Sequence, residues 1–262
     1  MLRALSTAST GMEAQQTYID NVANNLANVN TPGFKRGRVE FEDLLYERMS
    51  TYGASDNTGG SQPLASQVGH GVRLAGIQKV FAQGNTRQTD NPLDMMIDGD
   101  GFFQIQLPDG TTAYSRDGSF NIDADGDIVK ASGYLMEPNI SVPRETRDIN
   151  VKGDGTLAAT LASDPTPQSL GRLEIVKFVN PAGLEAIGHN MFRETAASGP
   201  PIPGNPGDQG FGEINSGFLE MSNVNVIQEM ISMITAQRAY ELNSKAIQTA
   251  DEMLDGVNQL KR

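Results

Sequence analysis

Two stretches with the repeat of a helical seam, one at each end, most constrain how this sequence can fold. Residues 1–30 and about 226–260 carry apolar side chains spaced alternately three and four residues apart, as in a helix with one apolar face. Such helices gain most of their stability from packing. The two ends must therefore pack against each other or against helices of neighbouring molecules.

The first helix is predicted to end near Val29 or Asn30, because Pro32 disfavours helix in the preceding residue and Gly33 permits a turn. Its weaker seam positions are Ala8 and Gln15. The candidate assembly residues on its seam are Leu5, Met12, Ile19, Val22, Leu26 and Val29.

A band of amide side chains runs beside this seam. Asn residues four positions apart are neighbours on a helix surface. The band is either a solvated polar face or a set of donors and acceptors that fixes the register between packed helices. Together with the turn it gives a second candidate assembly set: Asn21, Asn24, Asn25, Asn28, Pro32 and Gly33.

The second helix has an apolar surface wider than one neighbour needs, because two apolar bands lie side by side. A helix with two apolar faces usually has more than one partner. We therefore predict packing against several helices rather than an ordinary intramolecular core. The candidate assembly residues are Val226, Ile227, Met230, Met233, Ile234, Tyr240, Ile247 and Leu254.

The middle of the chain reads as antiparallel β structure. Short strand-like runs from Val72 onward are separated by turn sequences, and the Pro-Asp-Gly at 108–110 is a strong hairpin signal. This density predicts a sandwich or barrel, with loops at 50–71 and 198–212. The predicted division is an N-terminal helix (1–30), an extended linker (31–71), an outer β domain (72–221) and a C-terminal helix (222–262).

Composition excludes several functions. A formal charge of −12 disfavours nucleic-acid and anionic-membrane binding. The absence of Cys excludes disulfides and thiolate chemistry. No apolar run is long enough to span a bilayer, and we expect no cleavable signal peptide. The basic cluster Lys35, Arg36 and Arg38 is predicted to be salt-bridged or solvated at the surface.

Catalytic and metal motifs are weak. The two histidines, His70 and His189, stand in loop-like contexts without a visible partner. Residues 121–128 match the first half of a calcium loop, but Ser132 stands where a bidentate Glu is needed. A hairpin turn is the preferred interpretation, so no cofactor, no metal and no enzymatic activity are expected.

The ends resemble a known family. The segments ANNLANVNTPGFKR (23–36) and SNVNVIQEMISMITAQRAYELNSKAIQTADEML (222–254) are similar to the terminal signatures of the flagellar rod and hook axial proteins. The central segments FEDLLYERM, VGHGVRLAGIQKVFAQGN and DGDGFFQIQLPDGTTAYSRDGSFNIDADGDIV, with the total length, look most like the members that build the distal rod.

That resemblance implies a mixed fold, in which the terminal helices pair as a coiled coil inside a tube and the β domain lies outside. It implies a helical homopolymer, the rigid hollow distal rod, which transmits motor torque and passes exported subunits. The implied partners are the proximal rod, the hook, the P-ring and L-ring proteins and the flagellar type III export apparatus. The implied place is the basal body, crossing the periplasm, with residues 46–71 linked to rod stiffness.

Two alternatives remain open from the residues alone. One is a hook or proximal-rod paralogue within the same family. The other is a soluble β-domain carbohydrate-binding or hydrolytic module that is dimerised by its terminal helices.

Overall fold

A computed structural model describes residues 2–48, 67–162 and 166–260. Its two long helices are α1 (Leu2–Ala27) and α2 (Val226–Leu260). The predicted bounds of α2 are confirmed. Helix α1 ends slightly earlier than predicted, because the next residues form a turn in which the Thr31 amide donates to the Asn28 carbonyl. Neither helix is long and apolar enough to cross a membrane.

Twenty strands lie between the helices in the described part of the chain. They are β1 (Gly37–Asp43), β2 (Tyr46–Arg48), β3 (Gln67–Gly69), β4 (Val72–Lys79), β5 (Thr86–Gln88), β6 (Met95–Asp98), β7 (Phe102–Gln106), β8 (Thr112–Ser115), β9 (Phe120–Ile122), β10 (Ile128–Lys130), β11 (Leu135–Glu137), β12 (Thr146–Val151), β13 (Thr156–Leu161), β14 (Gln168–Arg172), β15 (Ile175–Lys177), β16 (Glu185–Gly188), β17 (Met191–Arg193), β18 (Ile202–Gly204), β19 (Glu213–Ser216) and β20 (Phe218–Glu220). A short 3₁₀ helix spans Pro181–Gly183.

The largest sheet has nine strands, and its main path runs β16-β17-β8-β7-β11-β10-β9. Strand β15 joins β7 and carries β18 on its other side. A three-stranded sheet has the order β12-β13-β14, and the remaining strands form two-stranded pairs: β1-β4, β2-β3, β5-β20 and β6-β19. Every pairing with a described register is antiparallel, for example Phe103 opposite Ser115. The expected antiparallel β-rich centre is therefore confirmed.

Hairpin predictions from turn residues succeed. The Pro-Asp-Gly turn joins β7 to β8, and residues 123–127 join β9 to β10, with the Gly126 amide donating to the Asp123 carbonyl. The segment 213–220 is divided into β19 and β20. Gly217 causes the division, because its φ of +78° is incompatible with extended strand.

By their contacts the residues form two compact units. The first comprises Met1–Leu26, Gly37–Gln78 and Val226–Arg262, and the second comprises Ala27–Arg36 and Lys79–Asn225. Strands β2 and β3, at the ends of the predicted 50–71 loop, pair within the first unit. Residues 49–66 of that segment, and 163–165, lie outside the described residues.

The second unit contains the main hydrophobic core. Its largest cluster draws side chains from the nine-stranded sheet, the three-stranded sheet and the β6-β19 pair, including Phe103, Phe120, Leu157 and Ile214. A second cluster is mainly aromatic, with Tyr114 packed edge-on against Phe178 at 4.8 Å between ring centroids. These clusters make the β unit a packed body rather than a set of loose hairpins.

Candidate assembly site

The first three turns of α2 expose large apolar side chains to water. Ile227 is 71% exposed, Ile234 is 57% exposed and Met230 is 51% exposed. Ile231 lies on the same stripe, and Val226 borders it at 39%. Burial of one such side chain stabilises a protein by about 1.5–3 kcal/mol. This contiguous stripe, residues 226–234, is called the exposed α2 face below.

The opposite side of α2 faces the interior of the first unit. Glu229, Ala236 and Ala250 are buried, and with the half-buried Asn243 they repeat every seven residues. Of the remaining predicted positions, Met233, Ile247 and Leu254 are half-buried beside this row, and Tyr240 is 39% exposed. The face turned inward is therefore mostly small or polar.

Helices α1 and α2 contact each other in antiparallel order. The Asn25 amide donates to the Glu229 carboxylate at 3.3 Å. Gly11 precedes Asn25 by fourteen residues in α1, and Asn243 follows Glu229 by fourteen residues in α2. A Cβ added to Gly11 would stand 2.8 Å from the side-chain amide nitrogen of Asn243. Gly11 therefore leaves room for the Asn243 side chain, which accounts for a residue that costs about 1 kcal/mol in a helix.

The predicted seam of α1 is partly buried. Val22 is only 1% exposed, and the weaker seam position Ala8 is buried as well. The other seam candidates are half-buried: Leu5, Met12, Ile19, Leu26 and Val29. The buried positions of α1 are Ala8, Ala14, Val22 and Asn25.

The amide band binds the start of strand β1. The Asn25 side chain accepts from the Gly37 amide and donates to the Gly37 carbonyl, each at 2.9 Å. Asn21 donates to the same carbonyl at 2.8 Å. Asn24 is exposed and Asn28 is half-buried. We call the group of Asn21, Asn25 and Gly37 the amide clasp. These asparagines bind a strand rather than another helix, a role that sequence periodicity did not indicate.

The turn after α1 belongs to the second unit. Gly33 has a φ of +69° and donates its amide to the Glu220 carbonyl at 2.8 Å. The Pro32 carbonyl accepts from the Asn190 side chain at 3.0 Å. A Cβ at Gly33 would collide with the backbone at Arg116 and Asp117. Gly33 is therefore required for its conformation and for this close approach.

Of the basic cluster, Arg38 forms an exposed ion pair with Glu40 at 2.7 Å. Lys35 also forms an ion pair, but its predicted surface position is wrong, because the side chain is only 1% exposed and its ammonium lies 2.6 Å from Glu220. Spacing alone could not reveal a partner 185 residues away. Burial outweighs the attraction of Glu220 and lowers the pKa of Lys35.

Within the described ranges, no group of three or more His, Asp or Glu side chains is arranged to hold a metal ion. The carboxylates of the 121–128 segment instead belong to the β9-β10 hairpin, where the Asp123 side chain accepts from the next backbone amide. What distinguishes this molecule chemically is an exposed apolar helix face and a set of buried polar anchors.

Three family models match the chain. One described as "Flagella basal body rod protein" covers residues 5–35, one described as "Flagellar hook protein FlgE/F/G D1 domain" covers 96–159, and one described as "Flagellar basal body rod FlgEFG protein C-terminal" covers 215–260. The first spans α1 and its turn, and the last spans α2. The three matched ranges thus include residues of both helices and of the β unit.

Whole-length relatives decide the family. The chain is 51% identical to the flagellar basal-body rod protein FlgG of Borreliella burgdorferi, with all of both chains covered. It is 45% identical to the protein of the same name from Buchnera aphidicola subsp. Schizaphis graminum, over 99% of this chain and all of the relative. The chain belongs to the FlgG family of flagellar basal-body rod proteins.

A relative with a different name is less similar to the chain than the proteins named FlgG. The flagellar hook-basal body complex protein FlhP of Bacillus subtilis is 29% identical over the full length of both chains. The FlgG membership therefore agrees with the resemblance of the central segments to the distal rod.

Proposed function

We propose that the chain is a structural subunit of the distal rod of the bacterial flagellum. It polymerises helically into a rigid hollow shaft, which transmits motor torque to the hook and passes exported subunits. No catalytic step is part of this function. Membership of the FlgG family supports the assignment over a hook or proximal-rod paralogue and over a soluble carbohydrate-binding or hydrolytic module.

The exposed α2 face carries the proposal. Ile227, Met230 and Ile234 stand open to water while Glu229 and Ala236 occupy the inward side. An arrangement that buries small and polar groups within one chain leaves the large apolar groups for neighbouring chains. In the proposed rod, helices of successive subunits cover this face and continue the coiled-coil packing inside the tube.

The strand pairs of the first unit, and the residues next to them, offer a second apolar surface. Leu45, Tyr46, Leu74 and Ile77 are all exposed, Leu45 most of all at 86%.

The division into inner helices, linker and outer sandwich-like β domain stays a prediction. The expected partners are the proximal rod, the hook, the P-ring and L-ring proteins and the type III export apparatus, in the basal body and without a cleaved signal peptide.

Electron microscopy of rods from cells that make this chain tests the proposal. The wild-type chain should be found in a straight tube around a channel. Met230→Asp or Leu26→Asp should abolish the tube, because each places a carboxylate on a helix surface that is packed in the proposed rod. The β unit should stay folded in both variants.

Gln248→Asp is the matched control, because it adds the same charge at an exposed position of α2 beyond the apolar stripe. It should leave assembly intact. Normal rods from Met230→Asp and Leu26→Asp would contradict the role of the helix faces, and absence of the wild-type chain from the rod would contradict the function itself.

A further inference from the structure

Three charged side chains of the second unit are withdrawn from water. The side chains of Lys35, Arg116 and Glu220 are 1%, 4% and 0% exposed. The Lys35 ammonium lies 2.6 Å from one oxygen of Glu220, and the Arg116 guanidinium lies 3.7 Å from the other. We call these residues the buried ion cluster.

The cluster joins residues from five places along the chain: 35, 82–84, 99, 116 and 220. Lys35 also donates to the Ala82 carbonyl at 2.9 Å. The Glu220 carboxylate accepts from the Gly84 amide at 2.9 Å. Arg116 donates to the Gly99 carbonyl at 2.7 Å. Lys35 and Glu220 are therefore both bonded to the backbone of the segment 82–84, and Arg116 is bonded to the backbone at Gly99.

Asn223 extends this network. Its side chain accepts from the Arg36 amide at 2.8 Å and donates to the carbonyls of Val80 and Ala82 at 2.8 and 3.0 Å. The Val80 amide closes the ring by donating to the Arg36 carbonyl at 2.9 Å. One amide side chain thus joins three segments.

The bonded segments are those through which the chain enters and leaves the second unit. The chain crosses between the units after residues 26, 36, 78 and 225. Arg36, Val80 and Asn223 lie within two residues of three of these crossings. Gly33, which follows the remaining crossing, donates to the Glu220 carbonyl.

Stability alone does not account for a buried ion cluster. Withdrawing ions from water costs several kcal/mol each, and apolar replacements are often equally stable. Burial lowers the pKa of Lys35 and of Arg116 despite the nearby carboxylate. A directional network of charges instead specifies one arrangement of the segments that it joins.

We propose that the buried ion cluster and Asn223 clamp these crossing segments together, so that force passing along the chain enters the β unit where its strands are mutually bonded. This inference rests on the proposed function, because a rod subunit carries such force. The cluster residues are positioning residues for torque transmission rather than contacts between subunits.

The test replaces all three ions by apolar side chains, Lys35→Met with Arg116→Met and Glu220→Met, in cells that make the full chain, so that no buried charge is left without a partner. Rods should assemble and rotate normally at low load, and rotation speed should fall selectively at high viscous load. The control is Glu185→Met with Arg193→Met, a pair at 2.8 Å whose side chains are both 53% exposed. It should behave like wild type at both loads.

Hydrogen exchange on the purified full chain gives an independent readout. The amides of Gly33, Val80 and Gly84 should exchange about tenfold faster in the variant with all three ions replaced by Met, while those of β7 and β8 keep their protection. Equal loss of speed at both loads, normal speed at both loads, or unchanged exchange of the three amides would each overturn the clamp.

Asn223→Ala keeps the test decisive if the variant without the three ions does not assemble. It removes the three hydrogen bonds of a half-buried side chain and leaves the ions in place. The same load-dependent loss is expected, and a wild-type speed at high load would overturn the proposal. Failure of the clamp and failure of the proposed function are distinguishable. If the proposed function is wrong, the wild-type chain itself is absent from the rod.

Discussion

At the scale of single residues, the molecule uses asparagine where a backbone group needs both a donor and an acceptor. The Asn25 amide matches the Gly37 backbone as a neighbouring strand would, with one bond in each direction. It is also buried, at 1% exposure, so its partners have no access to replacement water. Buried polar groups are costly only when they lack partners.

Asn25→Ala should therefore destabilise the first unit by about 1–3 kcal/mol, since the buried Gly37 amide loses its partner while the carbonyl keeps only Asn21. Faster hydrogen exchange of the Gly37 amide would report the loss directly. Gln16→Ala, on an exposed position of α1, provides the comparison and should leave that amide protected. Equal exchange in the two variants would show that the clasp does not hold β1.

Tyr114 gives the β unit a characteristic response to alkaline pH. Burial, with smaller contributions from the charges of Glu194 and Glu137, raises its pKa from 10.0 to about 12. Between these values the folded protein keeps a proton that the unfolded chain has lost. The free energy of unfolding must then fall as pH rises through this window.

Urea unfolding at pH 9 and pH 11 should show this fall in wild type and a smaller fall in Tyr114→Phe. The variant keeps an aromatic ring at the position that packs against Phe178, so the difference between the two proteins should isolate the phenol hydroxyl. Tyr240→Phe makes the same chemical change at an exposed site and should follow wild type. A pH dependence identical in Tyr114→Phe and wild type would contradict the assignment.

At the scale of elements, α2 has two faces of opposite character. Its inward row of small and polar residues allows close approach to α1, whereas the exposed α2 face holds bulky aliphatic groups. Helices that meet through small and polar groups bury little apolar area, but their register is specific. The pair within one chain is therefore a starting arrangement that larger contacts between chains can complete.

Ala236→Leu should disturb the contact between α1 and α2, because Ala236 is 2% exposed and has no room for three more carbons. Overpacking of this kind typically costs about 1–3 kcal/mol. The thermal transition of the helices, followed by circular dichroism, should move to lower temperature. Ala246→Leu, on an exposed position, has nearly the same helix propensity change and should leave the transition in place.

Apolar spacing and turn residues were sufficient to predict both helices, the antiparallel character of the centre and its tightest hairpins. They were insufficient wherever a distant partner decides the outcome. Helical periodicity located the apolar bands of α2, but it does not say that Glu229 faces inward and Ile227 outward. Strands β12 and β13 lack strong alternation, and β18 lies in a Pro/Gly-rich segment that local rules assign to a loop.

At the scale of the whole molecule, the formal charge of −12 opposes association of identical chains. Salt screens such repulsion, with a Debye length near 8 Å at about 0.15 M. Polymerisation of purified chain, followed by light scattering, should therefore be faster at about 0.15 M salt than at about 0.01 M. Slower polymerisation in the higher salt would mean that opposite charges at the contacts outweigh the net repulsion.

A fragment of residues 27–225 tests whether the helices alone are the assembly elements. It retains the aromatic and aliphatic clusters of the β unit together with the Lys35–Glu220 pair. We expect it to unfold cooperatively and to remain monomeric in sedimentation. Filaments formed by this fragment would place the principal contacts of the polymer in the β unit instead.

The contact between Asn25 and Glu229 also sets the timing of folding. The two residues are 204 positions apart, so α1 leaves the ribosome long before its helical partner exists. Closing so long a loop is entropically costly, and contacts of large sequence separation slow folding. A nascent chain accordingly keeps its first helix without this intramolecular partner until synthesis is nearly complete.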